Sequence, residues 1–304
     1  MNPILEYSNF IKDEIDGLNL PESPHNLYDP IRFFLNLESK KIRPILTLLS
    51  TELFGGTKDK AKHAALAVEI FHNFTLIHDD IMDEAPLRRG KPTVHTKWNS
   101  SIAILSGDVL LVKAYEQLAL APSSALPDLL KVFNKTAIEV CEGQQMDMDF
   151  EKLEHLSQEE YLQMIKLKTS VLLGCALEMG AILCDASIED RIEIYEFGVN
   201  IGIAFQIQDD LLDLYGDMEK VGKQTGGDIL ANKNTLLSIL AESHADESQI
   251  LELKKLRFEN DSPLKIQQTK IIFDSIGVRQ KCIDVMKSYH QKAFGSFSRI
   301  QSDF

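Results

Sequence analysis

The chain has 304 residues, of which 44% are hydrophobic, and its formal net charge is −14. This composition allows a sizeable core and excludes a disordered chain. The negative charge argues against binding to nucleic acid or to an anionic membrane, because proteins that bind these polyanions are normally basic. An anionic substrate would need metal ions or a local cluster of Lys and Arg.

The cysteines and the N-terminus indicate the compartment. Cys141, Cys175, Cys184 and Cys282 form no C-x-x-C pair, which favours reduced thiols over a disulfide framework or a zinc site. The first residues lack a basic start and an apolar run of the signal-peptide type. No stretch approaches the roughly 18 apolar residues of a membrane span. We expect a soluble, cytoplasmic protein without integral membrane contact.

The hydrophobic pattern predicts one helix after another. Apolar residues recur at spacings of three and four in residues 31–37, 42–54, 61–81, 102–120, 129–146, 161–183 and 192–215. The pattern continues to Phe304 with more charge. Alternation of period two is scarce, so no sheet is predicted. Since no linker rich in Ser, Gly or Pro divides the chain, we predict an all-α fold, a single-domain helical bundle over residues 1–304 with a central cavity.

Proline and glycine mark the predicted breaks. Pro21 and Pro24 separate the first two helices, and Pro30 suits the start of the second. Residues 85–93 and 216–227 are predicted loops. The segments 61–81 and 161–183 are apolar over most of their circumference, which is typical of helices at the centre of a bundle.

Two aspartate boxes carry the strongest chemical signal. They are Asp79-Asp80-Ile81-Met82-Asp83 and Asp209-Asp210-Leu211-Leu212-Asp213. Residues i and i+4 of a helix share a face, so the outer aspartates of each box point the same way. One such motif is more often a solvated acidic turn, but two copies, each after a long apolar helical run, favour function. Oxygen ligands alone select a hard ion such as Mg²⁺, which completes its shell with water and substrate phosphate. We predict that the two boxes face each other across a cavity and hold a magnesium-diphosphate between them.

Basic and amide side chains near the boxes fit an anionic substrate. They are Lys40, Lys41, Arg43, Arg88, Arg89, Lys91, Lys168, Gln206, Lys223 and Lys233. Lys168 lies in the middle of a predicted central helix. Binding of a phosphate explains a lysine at this position better than exposure at the surface does. His72 lies two turns before Asp79 on the same face, and a packed core histidine is an equally good interpretation.

Taken together, these motifs resemble the trans-isoprenyl diphosphate synthases, also called polyprenyl synthetases, over about residues 38–235. The matching segments are residues 76–83 (LIHDDIMD), 87–95 (LRRGKPTVH), 106–108 (SGD), 142–147 (EGQQMD), 168–169 (KT), 205–213 (FQIQDDLLD), 222–223 (GK), 227–228 (GD) and Lys233. The resemblance implies an all-α fold of the isoprenoid synthase type and a homodimer. It also implies Mg²⁺, about three ions per active site, and condensation of isopentenyl diphosphate with allylic diphosphates.

The resemblance also implies a role for each site residue. Asp79, Asp83 and Asp209 would bind Mg²⁺ directly, with Asp80, Asp210 and Asp213 as neighbours or water-mediated ligands. The allylic diphosphate would be held by Arg88, Lys168, Thr169, Gln206, Lys223 and Lys233. Isopentenyl diphosphate would be held by Lys40, Arg43, His72 and Arg89. Residues 38–44 (ESKKIRP) depart from the family pattern GGKRxRP: both glycines are replaced and Lys41 stands for an arginine, but Lys40 and Arg43 are kept.

The product length is predicted from the helix that carries Asp79. Phe74, Thr75 and Phe71 would line the tunnel for the growing chain, since one helical turn of about 5.4 Å is close to one five-carbon unit. Phe74 is the predicted floor, although an ordinary core phenylalanine fits nearly as well. The small Thr75 favours geranylgeranyl diphosphate (C20), with farnesyl diphosphate (C15) as the alternative.

Three rival functions remain. A class I terpene cyclase shares the fold and the first box, but its second box normally ends in Glu, where this chain has Asp217. A metal phosphohydrolase built on His72, His78 and Asp79 leaves the second box unexplained. A non-catalytic partner subunit of a prenyl synthase would not need intact aspartates in both boxes.

Overall fold

The computed structural model describes residues 3–151, 153, 155–216 and 226–301. The helices are α1 (Pro3–Asp16), α2 (His25–Leu35), α3 (Ile42–Leu53), α4 (Lys58–Met82), α5 (Val94–Lys97), α6 (Ser100–Leu118), α7 (Leu126–Phe150), α8 (Gln158–Ile165), α9 (Val171–Leu183), α10 (Ile188–Tyr215), α11 (Gly227–Leu230), α12 (Leu236–His244), α13 (Glu247–Leu256), α14 (Ser262–Ile276) and α15 (Val278–Phe297). A π-helical turn, Lys166–Ser170, joins α8 to α9. The only strands among the described residues are β1 (Leu87–Arg88) and β2 (Lys91–Pro92). The predicted all-α fold is confirmed.

Every predicted helical segment coincides with an observed helix, but three local predictions were wrong. Pro30 lies inside α2 and not at its start, because the polar turn from His25 is already helical. A proline there removes one backbone hydrogen bond. The predicted loop 85–93 contains the antiparallel pair β1–β2. The predicted helix 161–183 is interrupted by the π-turn.

The chain divides into two compact units. Unit 1 comprises Met1–Thr136, Leu172–Tyr195 and Arg299–Phe304, and unit 2 comprises Ala137–Val171 and Glu196–Ser298. The prediction of one domain over residues 1–304 stays a prediction. None of the helices in the described ranges is long and apolar enough to cross a bilayer.

In unit 1, α4 packs against α3 and α6. Small side chains permit a close approach: a Cβ on Gly107 of α6 would lie 2.3 Å from Nε2 of His78. The same applies to α9 and α3, where a Cβ on Gly180 would lie 2.6 Å from the carbonyl oxygen of Thr47. The contact at Gly107 brings α6 directly against the last turns of α4, which carry the first box.

Glu178 of α9 is a partly buried acid in unit 1. Burial raises its pKa from 4.5 to about 6, although Lys135, Arg191 and Lys131 oppose the rise and Asp128 adds to it. The Asp128 carboxylate is also bound by Arg191, at 2.7 Å. Glu178 therefore titrates in the folded protein at a higher pH than an exposed glutamate does.

In unit 2, α12 packs against α8, α14 and α15. Leu236, Leu237 and Leu240 of α12 are buried, together with Phe273 of α14 and Cys282 of α15. A capping box at Ser157 begins α8, with Glu160 as its partner. This core supports the C-terminal half of α10, which carries the second box.

Candidate active site

The first box forms the end of α4, as predicted, and its three aspartates differ in exposure. Asp80 is 1% exposed, and its Oδ1 accepts a hydrogen bond of 2.8 Å from Nε of Arg88. Burial raises the pKa of Asp80, although Arg88 opposes the rise. Asp79 is partly exposed, whereas Asp83 is exposed and caps the helix. The protein thus holds the middle aspartate inward and leaves the outer two accessible to an ion.

The hairpin after the first box presents the two arginines. Arg88 pairs with Lys91 across the ladder, and the turn is formed by Arg89 (φ 53°) and Gly90 (φ 73°), both left-handed. A left-handed arginine is strained, which a glycine is not. Nη1 of Arg89 lies 3.5 Å from the carbonyl oxygen of Leu37. The chain turn therefore places Arg88 towards Asp80 and Arg89 towards the loop before α3.

Arg43 and His72, both predicted to hold isopentenyl diphosphate, are in contact. Nη1 of Arg43 is hydrogen-bonded to Nε2 of His72. Burial, and then the charges of Arg43, Arg89, Arg88 and Lys41, lower the pKa of His72 well below 6.5. Burial also lowers the pKa of Arg43 to about 10. His72 is therefore neutral and accepts from Arg43, within a group of cations.

The same group contains a buried polar atom that is not satisfied. Nε of Arg43 has no hydrogen-bond partner among the described residues. Buried N–H groups normally have a partner, and an excess of cations favours an anionic one. Lys40, the fourth residue predicted for this substrate, is exposed.

Lys41 belongs to a network that sequence reasoning missed. Its Nζ lies 2.9 Å from Oε1 of Glu69, and the two side chains are 8% and 6% exposed. Nδ2 of Asn73 donates to the same Oε1 at 3.1 Å. Glu69 and Asn73 are a polar i, i+4 pair within the apolar face of α4, and that spacing is the signal that could have found them.

The second box lies at the end of α10, again as predicted. Asp210 is 4% exposed, and its Oδ2 accepts from Oη of Tyr161 at 2.5 Å and from the backbone N of Leu236 at 3.3 Å. Gln206 also hydrogen-bonds to it. Burial raises the pKa of Asp210 to about 7. Asp209, in contrast, is exposed. The second box therefore resembles the first: protein groups hold its middle aspartate, and an outer aspartate is exposed.

Asp213 has a structural partner that was not predicted. Its Oδ2 accepts from the backbone N of Asp228 at 3.0 Å, and its carbonyl oxygen accepts from the N of Gly226 at 2.7 Å. Asp213 thereby holds the start of α11. Its side chain is still partly exposed.

Lys168 and Thr169 lie in the π-turn, and π-turns occur frequently at functional sites. A Cβ on Gly143 of α7 would lie 2.2 Å from the backbone N of Lys168, so only glycine allows α7 to approach this closely. Nζ of Lys168 lies 2.5 Å from Oδ2 of Asp147, and the Lys168 side chain is 25% exposed. Lys168 therefore lies in the middle of the helical run from α8 to α9, as predicted, with a side chain that is partly exposed.

Two further predicted cations belong to the segment around residues 217–233. Lys223 lies outside the described residues. Lys233 is exposed, its backbone N donates to the carbonyl oxygen of Asp228 at 2.9 Å, and it lines a cavity of about 130 Å³ in unit 2.

The predicted chain-length residues differ in exposure. Phe71 is 1% exposed and packs against Phe133, with ring centroids 5.1 Å apart. Phe74 is partly exposed and lies 5.6 Å from the Phe71 ring and 4.8 Å from the His78 ring. Oγ1 of Thr75 donates to the carbonyl oxygen of His72 at 2.9 Å. Phe74 is thus the outer member of an aromatic group whose inner members belong to the core.

The donor set at each box fits Mg²⁺. No group of three or more His, Cys, Asp or Glu side chains among the described residues is arranged to hold a metal by itself. Mg²⁺ does not need such a group, since it commonly takes one or two carboxylates and completes its shell with water and substrate phosphate. Oδ2 of Asp80 is buried without a partner in the described part of the chain, which leaves an acceptor for a metal-bound water.

Comparison with known proteins decides the family. The family model for polyprenyl synthetases matches residues 24–271. The chain belongs to the polyprenyl synthetase family. A geranylgeranyl pyrophosphate synthase of Geoglobus acetivorans is 42% identical over 242 residues, which cover 78% of this chain and 75% of that protein.

Other similar proteins agree with this membership. A crystal structure of a geranylgeranyl pyrophosphate synthase is similar with a TM-score of 0.94 at 42% identity, covering 100% of this chain and 94% of that one. A geranylfarnesyl diphosphate synthase of Natronomonas pharaonis is 35% identical over 301 residues, which cover 91% of this chain and 87% of that protein. These findings confirm the predicted family and the predicted enzyme class, a short-chain trans-prenyltransferase, over the cyclase and the phosphohydrolase.

Proposed function

We propose that this polyprenyl synthetase condenses isopentenyl diphosphate with allylic diphosphates, releases diphosphate and makes geranylgeranyl diphosphate. The observation that carries the proposal is the arrangement of the two boxes: each has its middle aspartate held by the protein and an accessible outer aspartate at a helix end. Asp79 and Asp83 in unit 1, and Asp209 in unit 2, are the proposed Mg²⁺ ligands. That both boxes act on one diphosphate stays a prediction.

Bound Mg²⁺ would neutralise the charge that builds on the leaving diphosphate as the allylic C–O bond breaks. Arg88, Lys168, Thr169, Gln206, Lys223 and Lys233 are the side chains proposed to bind the allylic diphosphate. Arg43, with Lys40 and Arg89, binds the diphosphate of isopentenyl diphosphate, and neutral His72 orients the Arg43 guanidinium by accepting its hydrogen bond. The double bond then attacks the allylic cation, and a proton is lost, for which the departing diphosphate is the proposed acceptor.

The proposed C20 product rests on Phe74 and on the relatives. Phe74 is the partly exposed end of the aromatic group below Asp79, so it can close a tunnel, whereas Phe71 is buried in the core. The relatives reported above are named for geranylgeranyl and geranylfarnesyl products, both of which are longer than C15. They therefore favour C20 over C15.

The decisive experiment is turnover by the purified chain alone. The protein is incubated with Mg²⁺, isopentenyl diphosphate and each of the three short allylic diphosphates, and products are identified by mass spectrometry. We expect a C20 product and its loss in Asp83→Asn. Asp59→Asn, an exposed aspartate at the start of the same helix, is the matched control. Absence of condensation with every primer would contradict the proposal and favour a non-catalytic partner subunit.

We also propose a homodimer, and the surface of α6 supports it. Ile104, Leu105, Val112 and Tyr115 are 45%, 57%, 66% and 36% exposed. Their spacing places them along one stripe of the helix. Contiguous exposed apolar side chains on one helix are typical of protein interfaces. Light scattering should show a dimer for the wild type and a monomer for Val112→Asp, while Leu251→Asp, an exposed leucine of α13, should leave the dimer intact. The predicted cytoplasmic location stays a prediction.

A further inference from the structure

The middle aspartate of the second box is held by groups from two other elements of unit 2. Oδ2 of Asp210, on α10, accepts the hydroxyl of Tyr161, on α8, at 2.5 Å. The same oxygen accepts the backbone N–H of Leu236, the first residue of α12, at 3.3 Å. Tyr161 and Asp210 are 3% and 4% exposed. One carboxylate oxygen therefore ties the end of α10 to both neighbouring helices.

The two boxes use different chemistry for this purpose. Asp80 is paired with a guanidinium, which carries a compensating charge. Asp210 is paired with a phenol, which does not. Burial and the charge of Asp210 raise the pKa of Tyr161 well above 10, so Tyr161 remains a neutral donor. The orientation of Asp210 consequently depends on hydrogen-bond geometry, and the Tyr161 hydroxyl supplies the shorter bond.

Helix geometry passes this orientation on to the neighbouring aspartates. Successive residues are about 100° apart around a helix, so fixing Asp210 inward fixes the direction in which Asp209 points. Asp209 is exposed, and Asp213, three residues on, has its own anchor at the backbone N of Asp228. Asp209 directly precedes Asp210 in the chain and is therefore the aspartate most directly affected by a change at Asp210. Among the described residues, the Tyr161 hydroxyl hydrogen-bonds only to Asp210. A phenylalanine at this position would fill the same space, so the hydroxyl is not needed for packing.

We propose that Tyr161 is a positioning residue for the second aspartate box: its hydroxyl holds Asp210 inward so that Asp209 is presented to Mg²⁺ and diphosphate. The proposal rests on the proposed function, because it assigns Asp209 to the metal. Groups that orient metal ligands from behind typically contribute 10–100-fold in metal affinity or activity. In the first box Arg88 binds the middle aspartate. In the second box Tyr161 takes this place and binds Asp210.

Tyr161→Phe tests this, because it removes one oxygen and keeps the ring. Tyr289→Phe, in α15 of the same unit, is the matched control, since no hydrogen bond of its hydroxyl is seen in the described part of the chain. The first readout is calorimetric binding of Mg²⁺ with inorganic diphosphate, which needs no turnover. We expect Tyr161→Phe to weaken this binding at least tenfold and Tyr289→Phe to change it less than twofold.

A second comparison shows whether Tyr161 acts through Asp210. In an Asp210→Ala background, the further change Tyr161→Phe should weaken binding by less than twofold, because the side chain that the hydroxyl orients is gone. In steady-state assays, Tyr161→Phe should raise the Mg²⁺ concentration for half-maximal rate about tenfold and leave the KM for isopentenyl diphosphate unchanged.

The outcomes separate the two proposals. Wild-type Mg²⁺-diphosphate binding without prenyl transfer would overturn the proposed function and leave the role of Tyr161 standing. Unchanged binding in Tyr161→Phe, with or without a lower melting temperature, would overturn the positioning role. An equal loss in the Asp210→Ala background would overturn it too, because Tyr161 would then act by another route.

Discussion

Replacement of Arg88 by Met should destabilise the protein through Asp80. The change removes the Nε–Oδ1 hydrogen bond of 2.8 Å and leaves a carboxylate that is 1% exposed without its cation. Breaking a buried ion pair typically costs about 3–5 kcal/mol. Because the Arg88 side chain is 25% exposed, water can partly replace it, which reduces the expected loss to about 2–3 kcal/mol.

The assay is urea unfolding followed by circular dichroism, with turnover measured on the same samples. Lys91→Met, an exposed cation in the same hairpin, is the control and should change stability by less than about 0.5 kcal/mol. The double variant Asp80→Asn with Arg88→Met should recover most of the lost stability, because no buried charge remains. Turnover of the double variant should stay below that of Asp80→Asn alone, because Arg88 is proposed to bind the allylic diphosphate.

Two results would refute this reasoning. Arg88→Met unfolding at the wild-type urea concentration would show that the pair does not stabilise the fold. Equal turnover in the double variant and in Asp80→Asn would show that Arg88 acts only by neutralising Asp80 and does not bind substrate.

Three other perturbations test separate parts of the molecule. Phe74→Ala should lengthen the product by at least one five-carbon unit, and an unchanged product profile by chromatography would refute the proposed floor. Glu178 has a folded pKa of about 6 against its ordinary 4.5, so the wild type loses stability as pH rises through this window, by about 1–2 kcal/mol after allowance for its partial exposure. Glu178→Gln should abolish that loss. If the wild type and Glu178→Gln differ in unfolding free energy by the same amount at pH 4 and at pH 7, the prediction is wrong. Gly143→Ala should lower both the melting temperature and turnover, because its Cβ would lie 2.2 Å from the backbone N of Lys168, and wild-type values for both would show that the π-turn adjusts without cost.

Local patterns predicted the helices and the two boxes correctly. Helix α4 illustrates why. Apolar residues at spacings of three and four over many residues fall on one face only in an α-helix, so no other regular structure would bury them together. The aspartates at its end were identifiable because acids directly after such a run are chemically conspicuous. Pro30 shows the limit of local rules, since burial of the α2 face against α6 outweighs the loss of one backbone hydrogen bond.

The sequence by itself therefore determined the fold class, the positions of Asp79–Asp83 and Asp209–Asp213, and the residue types that can bind Mg²⁺ and diphosphate. Only the tertiary structure decided which aspartates are held inward and by what. Asp210 meets Tyr161 across 49 residues of chain, and Lys41 meets Glu69 across 28. Periodicity is a property of neighbouring residues, whereas such pairs depend on how helices pack, and on glycines such as Gly107 and Gly143 that let them approach.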